Sequence, residues 1–328
     1  MKVLLLANQP ESTTRLQLFR KTLQKLGYTV VVPHFSTRNW FSIARQSRNV
    51  LIREKPDIVQ VFNVPDIIYR NIPKMKRTYF RKFIYDYRSP WGIENGILFG
   101  PAGTWIGEYY EKRLASHADA ITSVNNPLMN KIRSSIERKD IPFSVIPNYP
   151  TQEFISKTWE DIPIPDEDYI LFIGRISKQE GIDIIHRAIQ NCPDFHFLII
   201  GDGPFSWFFL RKKYPNARYL GWQSHDLIPG YIRHSSLCIK PTHENSLTPY
   251  ATDRSVWKLN EYLNVGKLVI ASGIVQEEMR KNLILVPSSE FITAIRGYFG
   301  KQPSSLNPSD IRTWEQNEGT IKKLFDQF

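Results

Sequence analysis

Short apolar runs alternate with stretches of helical period along the whole chain. Six runs in the first half predict strands: KVLLLA (2–7), YTVVVPH (28–34), DIVQVFN (57–63), FIYDYR (83–88), AITSVN (120–125) and SVIPN (144–148). Six more follow in the second half: YILFIG (169–174), FHFLIIGDG (195–203), ARYLGW (217–222), SLCIKP (236–241), KLVIAS (267–272) and LILVPS (283–288). Their apolar residues run on continuously rather than alternating, which is the pattern of parallel strands covered on both faces. Between them lie helical stretches such as 14–26, where Leu16, Phe19, Leu23 and Leu26 form one stripe and Gly27 supplies the stop.

Strand and helix in alternation predict an α/β chain with parallel sheets. The segment NYPTQEFISKTWEDIPIPDED (148–168), rich in proline and acid, interrupts the alternation and predicts a linker. The expected organisation is two Rossmann-like, doubly wound domains in tandem, 1–152 and 153–308, with a closing helical segment, 309–328, packing back on the first. Ligands of such sheets bind beyond the carboxyl ends of the strands, so the site is expected in a cleft between the domains.

Composition narrows the function. At 328 residues, 41% hydrophobic and 23% charged, the chain is long enough for two cores and globular in kind. Its 43 lysines and arginines against 32 acids give a net charge of +11, which favours anionic partners. No helix-turn-helix pattern, metal-ligand spacing or RNA-binding aromatic motif occurs, so neither nucleic acid nor a metal is expected. Two cysteines, Cys192 and Cys238, are too few for a disulfide framework and point to a reducing, cytoplasmic setting. No uncharged run reaches the roughly 18 residues of a membrane span. Two stretches mix cations with aromatics, IPKMKRTYFRKF (72–83) and FSWFFLRKKY (205–214), and the uncharged NGILFGPAGTWIG covers 95–107. These offer contacts to an anionic membrane surface; the plain alternative is a core helix with its charges outward.

Three stretches carry candidate chemistry. In ATDRSVWKLNEYLNVGKLVIAS (251–272) Asp253 precedes Glu261 by eight positions, with Lys258 between them. Ser255 is placed to cap a helix that stops at Gly266. Its first amides, near Arg254, Ser255 and Val256, would suit phosphate oxygens. The two carboxylates could then accept hydrogen bonds from hydroxyls on either side of a bound phosphate. Alternatively Asp253 serves the helix dipole and Glu261 a solvated face. In ILFIGRISKQEGID (170–183) Arg175 and Lys178 follow a strand and could neutralise a diphosphate, or could pair with Glu180 and Asp183. In LIIGDGP (198–204) Gly201 and Gly203 would let backbone approach a flat ligand closely.

Taken in order, LFIGRISKQEGID, FLIIGDGP, YLGWQSHDLIPGYIRHSSLCIKP and KLNEYLNVGKLVIAS resemble the donor half of GT-B glycosyltransferases of the retaining family 4 (group 1) type. The resemblance extends to YYEKRLASHADAITSVNNPLMNKI in the first half and DIRTWE near the end. It implies a metal-independent enzyme that takes a sugar from a nucleotide-diphosphate donor of UDP or GDP type, without a further cofactor. The acceptor it implies is a lipid-linked or growing glycan at the cytoplasmic membrane face. Asp253 and Glu261 would hold the family's Glu-x7-Glu positions, the first on donor-sugar hydroxyls and the second on the ribose, with Arg175 on the diphosphate.

Several positions depart from the family pattern. Asp253 is one methylene shorter than the glutamate, and Glu180 stands where a lysine is usual, which leaves Lys178 to serve. SLTPYATDRS (246–255) replaces a Gly-Phe-Gly run, and ANQPESTT lacks paired glycines. IYDYRSPW (84–91) stands where many members carry a histidine, making Asp86 and Arg88 the first-domain candidates at the reacting centre. These departures keep a second reading in play, a non-catalytic sugar-nucleotide-binding protein or partner subunit on the same scaffold. Among the histidines, His34 and His243 follow strands and could border the site, whereas His117, His186, His196 and His234 read as core or surface.

Overall fold

The computed structural model describes residues 1–138, 140–157, 165, 167–212, 214–301 and 306–328. Of the predicted linker, residues 158–164 and 166 therefore lie outside the described residues. Two compact units form, Met1–Asn148 with Gln316–Phe328, and Tyr149–Glu315.

All twelve predicted strands are present. In the first unit β1 (Lys2–Leu6), β2 (Thr29–Val31), β3 (Ile58–Phe62), β4 (Lys82–Tyr87), β5 (Ala120–Ser123) and β6 (Phe143–Val145) form one parallel sheet in the order β2-β1-β3-β4-β5-β6. Leu4 sets the register, opposite Val31 on one side and Val59 on the other. Val3 to Ala7 have no exposed surface, as a strand covered on both faces requires. The helix Thr14–Lys25 ends before Gly27, whose φ of 86° a residue with a Cβ adopts only at a cost.

The closing helix, Glu318–Phe325, belongs to this unit. Phe325 packs edge-on against Tyr28 at 5.5 Å, and Asn317 donates to the Pro147 carbonyl. Residues just before it stay with the second unit: the Trp314 amide donates to Pro150, and its ring stacks on Trp257 at 6.5 Å.

In the second unit β7 (Tyr169–Ile173), β8 (His196–Ile200), β9 (Ala217–Gly221), β10 (Leu237–Lys240), β11 (Val269–Ala271) and β12 (Leu283–Leu285) form a parallel sheet in the order β12-β11-β10-β7-β8-β9. Leu171 lies between Cys238 and Leu198 in register. One core layer gathers Phe172, Ile185, Ile199, Ile239 and Ile295, the other Leu171, Leu198, Tyr231, Leu259 and Leu263. The strand order reverses between β7 and β10, so the crevice at their carboxyl ends is where a sheet of this kind admits a ligand.

Candidate functional site

At that switch point the loop after β7 lies directly on the loop after β8. The Ile176 amide donates to the Asp202 carbonyl at 3.0 Å, and the Gly174 amide to Ile200 at 2.9 Å. A Cβ at Gly201 would fall 1.9 Å from the Gly174 carbonyl oxygen, and one at Gly203 would fall 2.5 Å from that of Ile176. The partner that needs both glycines is thus the neighbouring backbone, where sequence reading expected a flat ligand.

Three charged side chains converge here. Lys258 reaches back from the helix Trp257–Val265, its Nζ 2.6 Å from Glu180 Oε2 and over the Phe172 ring. Lys240, the last residue of β10, brings a second ammonium within 3.6 Å of the same oxygen and contacts the Thr242 hydroxyl. A Cβ at Gly174 would lie 2.3 Å from Lys258 Nζ, so glycine is what leaves room for the ammonium. Burial pushes the Lys240 ammonium down to about 8, against the pull of Glu180. Burial raises the Glu180 carboxyl, but Lys258 and then Lys240 hold it below its ordinary value. Two cations on one carboxylate leave a net positive charge. Arg175 and Lys178 stand exposed on the same loop, Lys178 over the Phe205 ring at 5.8 Å. Lys178 therefore does not join the group; Lys240, which the sequence presents only as the end of an apolar strand, does.

The helix start differs from the sequence expectation. Ser255 closes the preceding turn: its hydroxyl accepts from the Thr252 amide, and the Ser255 and Val256 amides both donate to the Thr252 carbonyl. Val256 is the N-cap, and the ladder begins with Asn260 donating to Val256. The open amides are those of Trp257, Lys258 and Leu259, one turn later than predicted. Gly266 ends the helix at φ 96°, as expected.

Asp253 does not face this opening. It is fully buried and accepts from the Glu277 and Glu278 amides at 2.6 and 3.2 Å, with Arg280 at 3.6 Å. Burial raises its carboxyl, the amides opposing. Arg254 likewise pairs with Glu278 at 3.4 Å and Glu277 at 3.8 Å. Both residues secure the segment after β11, and neither is brought together with Lys258. Glu261 lies under His225, Nε2 to Oε1 2.8 Å, and that imidazole also stacks on Phe154 at 4.9 Å. Donating to the Glu261 carboxylate raises the His225 pKa. His225 carries no local sequence pattern; its signal is the position, in the loop just after β9 on the carboxyl edge. His243 pairs instead with Asp183 at 2.7 Å.

In the first unit Asp86 is enclosed. Arg15 grips both of its oxygens at 2.8 Å, and Thr122 adds a third bond. Arg88 follows at the end of β4, its amide donating to Asn63 Oδ1 at 2.8 Å and its guanidinium to the Asn63 carbonyl. Burial lowers its pKa. An open polar cavity of about 620 Å³ lies after β1 and β2, lined by Asn8, Gln9, Glu11, His34 and Arg38 among others. His34 there pairs with Glu11.

Residues 167–299 match the family model described as Glycosyl transferases group 1. No curated protein matches the sequence. Among solved structures, sucrose-phosphate synthase from Thermosynechococcus elongatus superposes with a TM-score of 0.65 at 14% identity, over 99% of this chain and 94% of that one. HepE from Anabaena, in complex with UDP and glucose, gives 0.62 at 14% identity over 99% and 97%. UDP-GlcNAc 2-epimerase from Methanocaldococcus jannaschii gives 0.57 at 12% over 99% and 100%. At such identities the likeness is one of fold, two Rossmann-like units in tandem.

Proposed function

We propose that this chain, a GT-B protein of the group 1 glycosyltransferase type, transfers a hexosyl group from a nucleotide-diphosphate sugar with retention of configuration. The observation that carries the reading is the pair of ammonium groups, Lys258 and Lys240, held on one carboxylate beside the open helix N-terminus at the switch point. A diphosphate there meets net positive charge and unpaired amides. Exposed Arg175 adds a forked donor for a phosphate oxygen. Those cations supply the charge that a divalent ion would otherwise provide, so turnover is expected to proceed without a metal. UDP is the leading nucleotide, because HepE, with the same fold, holds UDP and glucose.

The chemistry breaks the bond from the anomeric carbon to the diphosphate oxygen and forms one to the acceptor oxygen. The acceptor's proton passes to the departing diphosphate, whose developing charge Lys258, Lys240 and Arg175 stabilise. Glu261 accepts from a ribose hydroxyl when His225 yields its place. Asp253 and Arg254 act by positioning, through the segment they hold. The acceptor, a lipid-linked or growing glycan at the cytoplasmic membrane face, is assigned to the polar cavity of the first unit.

A panel of UDP- and GDP-sugars tests this by thermal stabilisation and by release of nucleoside diphosphate in excess chelator. A ligand at a hundred times its Kd stabilises the native state by about 2.7 kcal/mol, a shift of several degrees. Absence of stabilisation by every member would overturn the donor assignment. Stabilisation without any release, with or without acceptor glycans, would establish the non-catalytic alternative.

A further inference from the structure

The helix Trp91–His117 in the first unit reverses at Gly100, where φ is 69°, so that Pro101 begins a second arm. The arms touch backbone to backbone. A Cβ at Gly107 would lie 2.5 Å from Gly92 Cα, and one at Gly103 would lie 2.5 Å from the Asn95 carbonyl oxygen. Gly96 leaves room in the same way for the Thr104 hydroxyl, 2.2 Å from its virtual Cβ. The result is a helical hairpin whose seam closes because glycine stands at Gly92, Gly96, Gly103 and Gly107, where the other arm comes closest.

Its direction follows from the sheet. The first arm leaves the carboxyl end of β4, and the second returns to the amino end of β5. Gly107 sits level with Gly92, so everything beyond that contact projects past the carboxyl edge. The projecting tip, NGILFGPAGTWIG, carries no charge over 95–107. Ile97, Leu98, Phe99 and Ile106 are exposed there, and Trp105 is 71% exposed.

A second element joins it. Trp40 and Phe41 open the helix Trp40–Glu54, which starts after β2 and hence on the same edge, and both are exposed. Ring contacts connect them to the hairpin: Trp40 to Trp91 at 6.3 Å, Trp91 to Tyr110 at 6.5 Å, Tyr110 to Tyr109 at 5.1 Å, and Tyr109 to Trp105 at 6.1 Å. Cations flank this face. Arg70 lies over the Phe41 ring, Arg113 reaches the Tyr109 hydroxyl, and Arg38, Arg45 and Lys112 are exposed beside them. Of the acids on the hairpin, Glu111 is buried against Lys131 and Glu94 accepts from the Ser89 hydroxyl, while Glu108 stays exposed and 3.8 Å from Lys131.

We propose that the carboxyl edge of the first unit docks on an anionic phospholipid bilayer. The hairpin tip enters the interface, Trp40, Phe41 and Tyr109 lie at headgroup level, and the flanking arginines meet lipid phosphates. The proposal deepens the lipid-linked acceptor reading and rests on it for the role of the polar cavity, which opens at the same edge. Uncharged aliphatic side chains at a projecting tip, a belt of tryptophan and tyrosine behind them, and cations outside the belt match the layers of a bilayer surface. The charge complement is to lipid phosphate. The basic stretch 72–83 is not the docking face: it leads into the amino end of β4, Phe80 and Phe83 are buried, and Lys76 pairs with Asp119 at 2.7 Å.

Co-sedimentation of the full chain with phosphatidylglycerol-containing vesicles tests the proposal, with phosphatidylcholine vesicles as the comparison. Phe99→Ser with Trp105→Ser should lower vesicle affinity about tenfold or more at low and high salt alike. Arg45→Gln with Lys112→Gln should weaken it at low salt only, because screening removes that contribution at high salt. Substituting Lys74 and Arg81 by glutamine should leave binding unchanged. Thermal stabilisation by a sugar nucleotide, read on each variant, separates this proposal from the function: it should persist when vesicle binding is lost. Equal pelleting of the Phe99/Trp105 variant and the parent would overturn the proposal. So would concentration-dependent dimerisation abolished by those same two changes, which would make a second copy the occupant.

Discussion

Each unit is built on its own six-stranded parallel sheet, but the two place their charges oppositely. In the first, Arg15 and Asp86 are sealed in the interior, 1% and 0% exposed, and each nitrogen of the guanidinium donates to protein. In the second, Lys258 and Glu180 stay partly open at the carboxyl edge, with Lys240 just beneath them. A charge satisfied on all sides by protein holds architecture together and has nothing left for a ligand. One with a single partner and an open side can exchange that partner for phosphate. Two charged residues near strand ends, Asp86 in β4 and Lys240 in β10, thus differ in role because of what encloses them.

The largest expected effect breaks the sealed pair. Arg15 ties the helix Thr14–Lys25 to β4 through Asp86, and to the segment after β6 through the Ile146 carbonyl at 2.6 Å and Asn148. Asp86→Ala leaves the guanidinium buried without its counter-ion, which costs about 3–5 kcal/mol. Against a total stability of roughly 5–15 kcal/mol this should bring the urea midpoint down sharply. Little change would mean that Asp86 is dispensable to the fold and open to a ligand role.

The fold was legible because continuous apolar runs and helical stripes report burial directly, and burial is what fixes a parallel α/β sheet. Site residues were legible only in part. Lys258, Glu180 and Arg175 lie in loops and at a helix start whose order along the chain carries the pattern. Lys240 sits in the run LCIK, where three apolar neighbours conceal a buried ammonium. His225 was missed because its partner, Glu261, is 36 residues away, and no local periodicity records such a pairing. Asp253 has the spacing of a ligand contact, yet its oxygens go to the Glu277 and Glu278 amides, a destination set by how the chain returns after β11.

The next effect sharpens the open cluster. Lys258→Ala should weaken binding of the cognate nucleoside diphosphate by about 1.5–3 kcal/mol, the range for a charge-assisted hydrogen bond. Glu180→Gln should act in the other direction, since it removes the carboxylate that competes with phosphate for both ammonium groups. Lys240 adds a protonic signature. Burial holds its ammonium down to about 8, and a bound diphosphate favours the charged form. Binding above pH 8 should therefore take up a proton, and calorimetry in buffers of different ionisation enthalpy measures it. Uptake that survives Lys240→Met would assign the proton to another group and remove Lys240 from the phosphate site.

The smallest effect concerns His225 and Glu261. The Glu261 hydrogen bond raises the folded-state pKa of His225, so the protonated imidazole is the form the fold prefers. The stability this pairing contributes is then fully present below the unfolded histidine value of about 6.5 and is lost as pH rises through the higher folded value. His225 is 65% exposed at its side chain, so water and salt screen the pair and the change in melting temperature should be slight. The imidazole resonances in an NMR titration give a sharper readout. Glu261→Gln should bring the His225 midpoint back toward its ordinary value, and should flatten the fall in melting temperature across that window. A nucleoside diphosphate whose ribose takes over Glu261 should lower the same midpoint in the parent protein. If the midpoint ignores both the substitution and the ligand, the raised pKa has another source and Glu261 is not where the ribose binds.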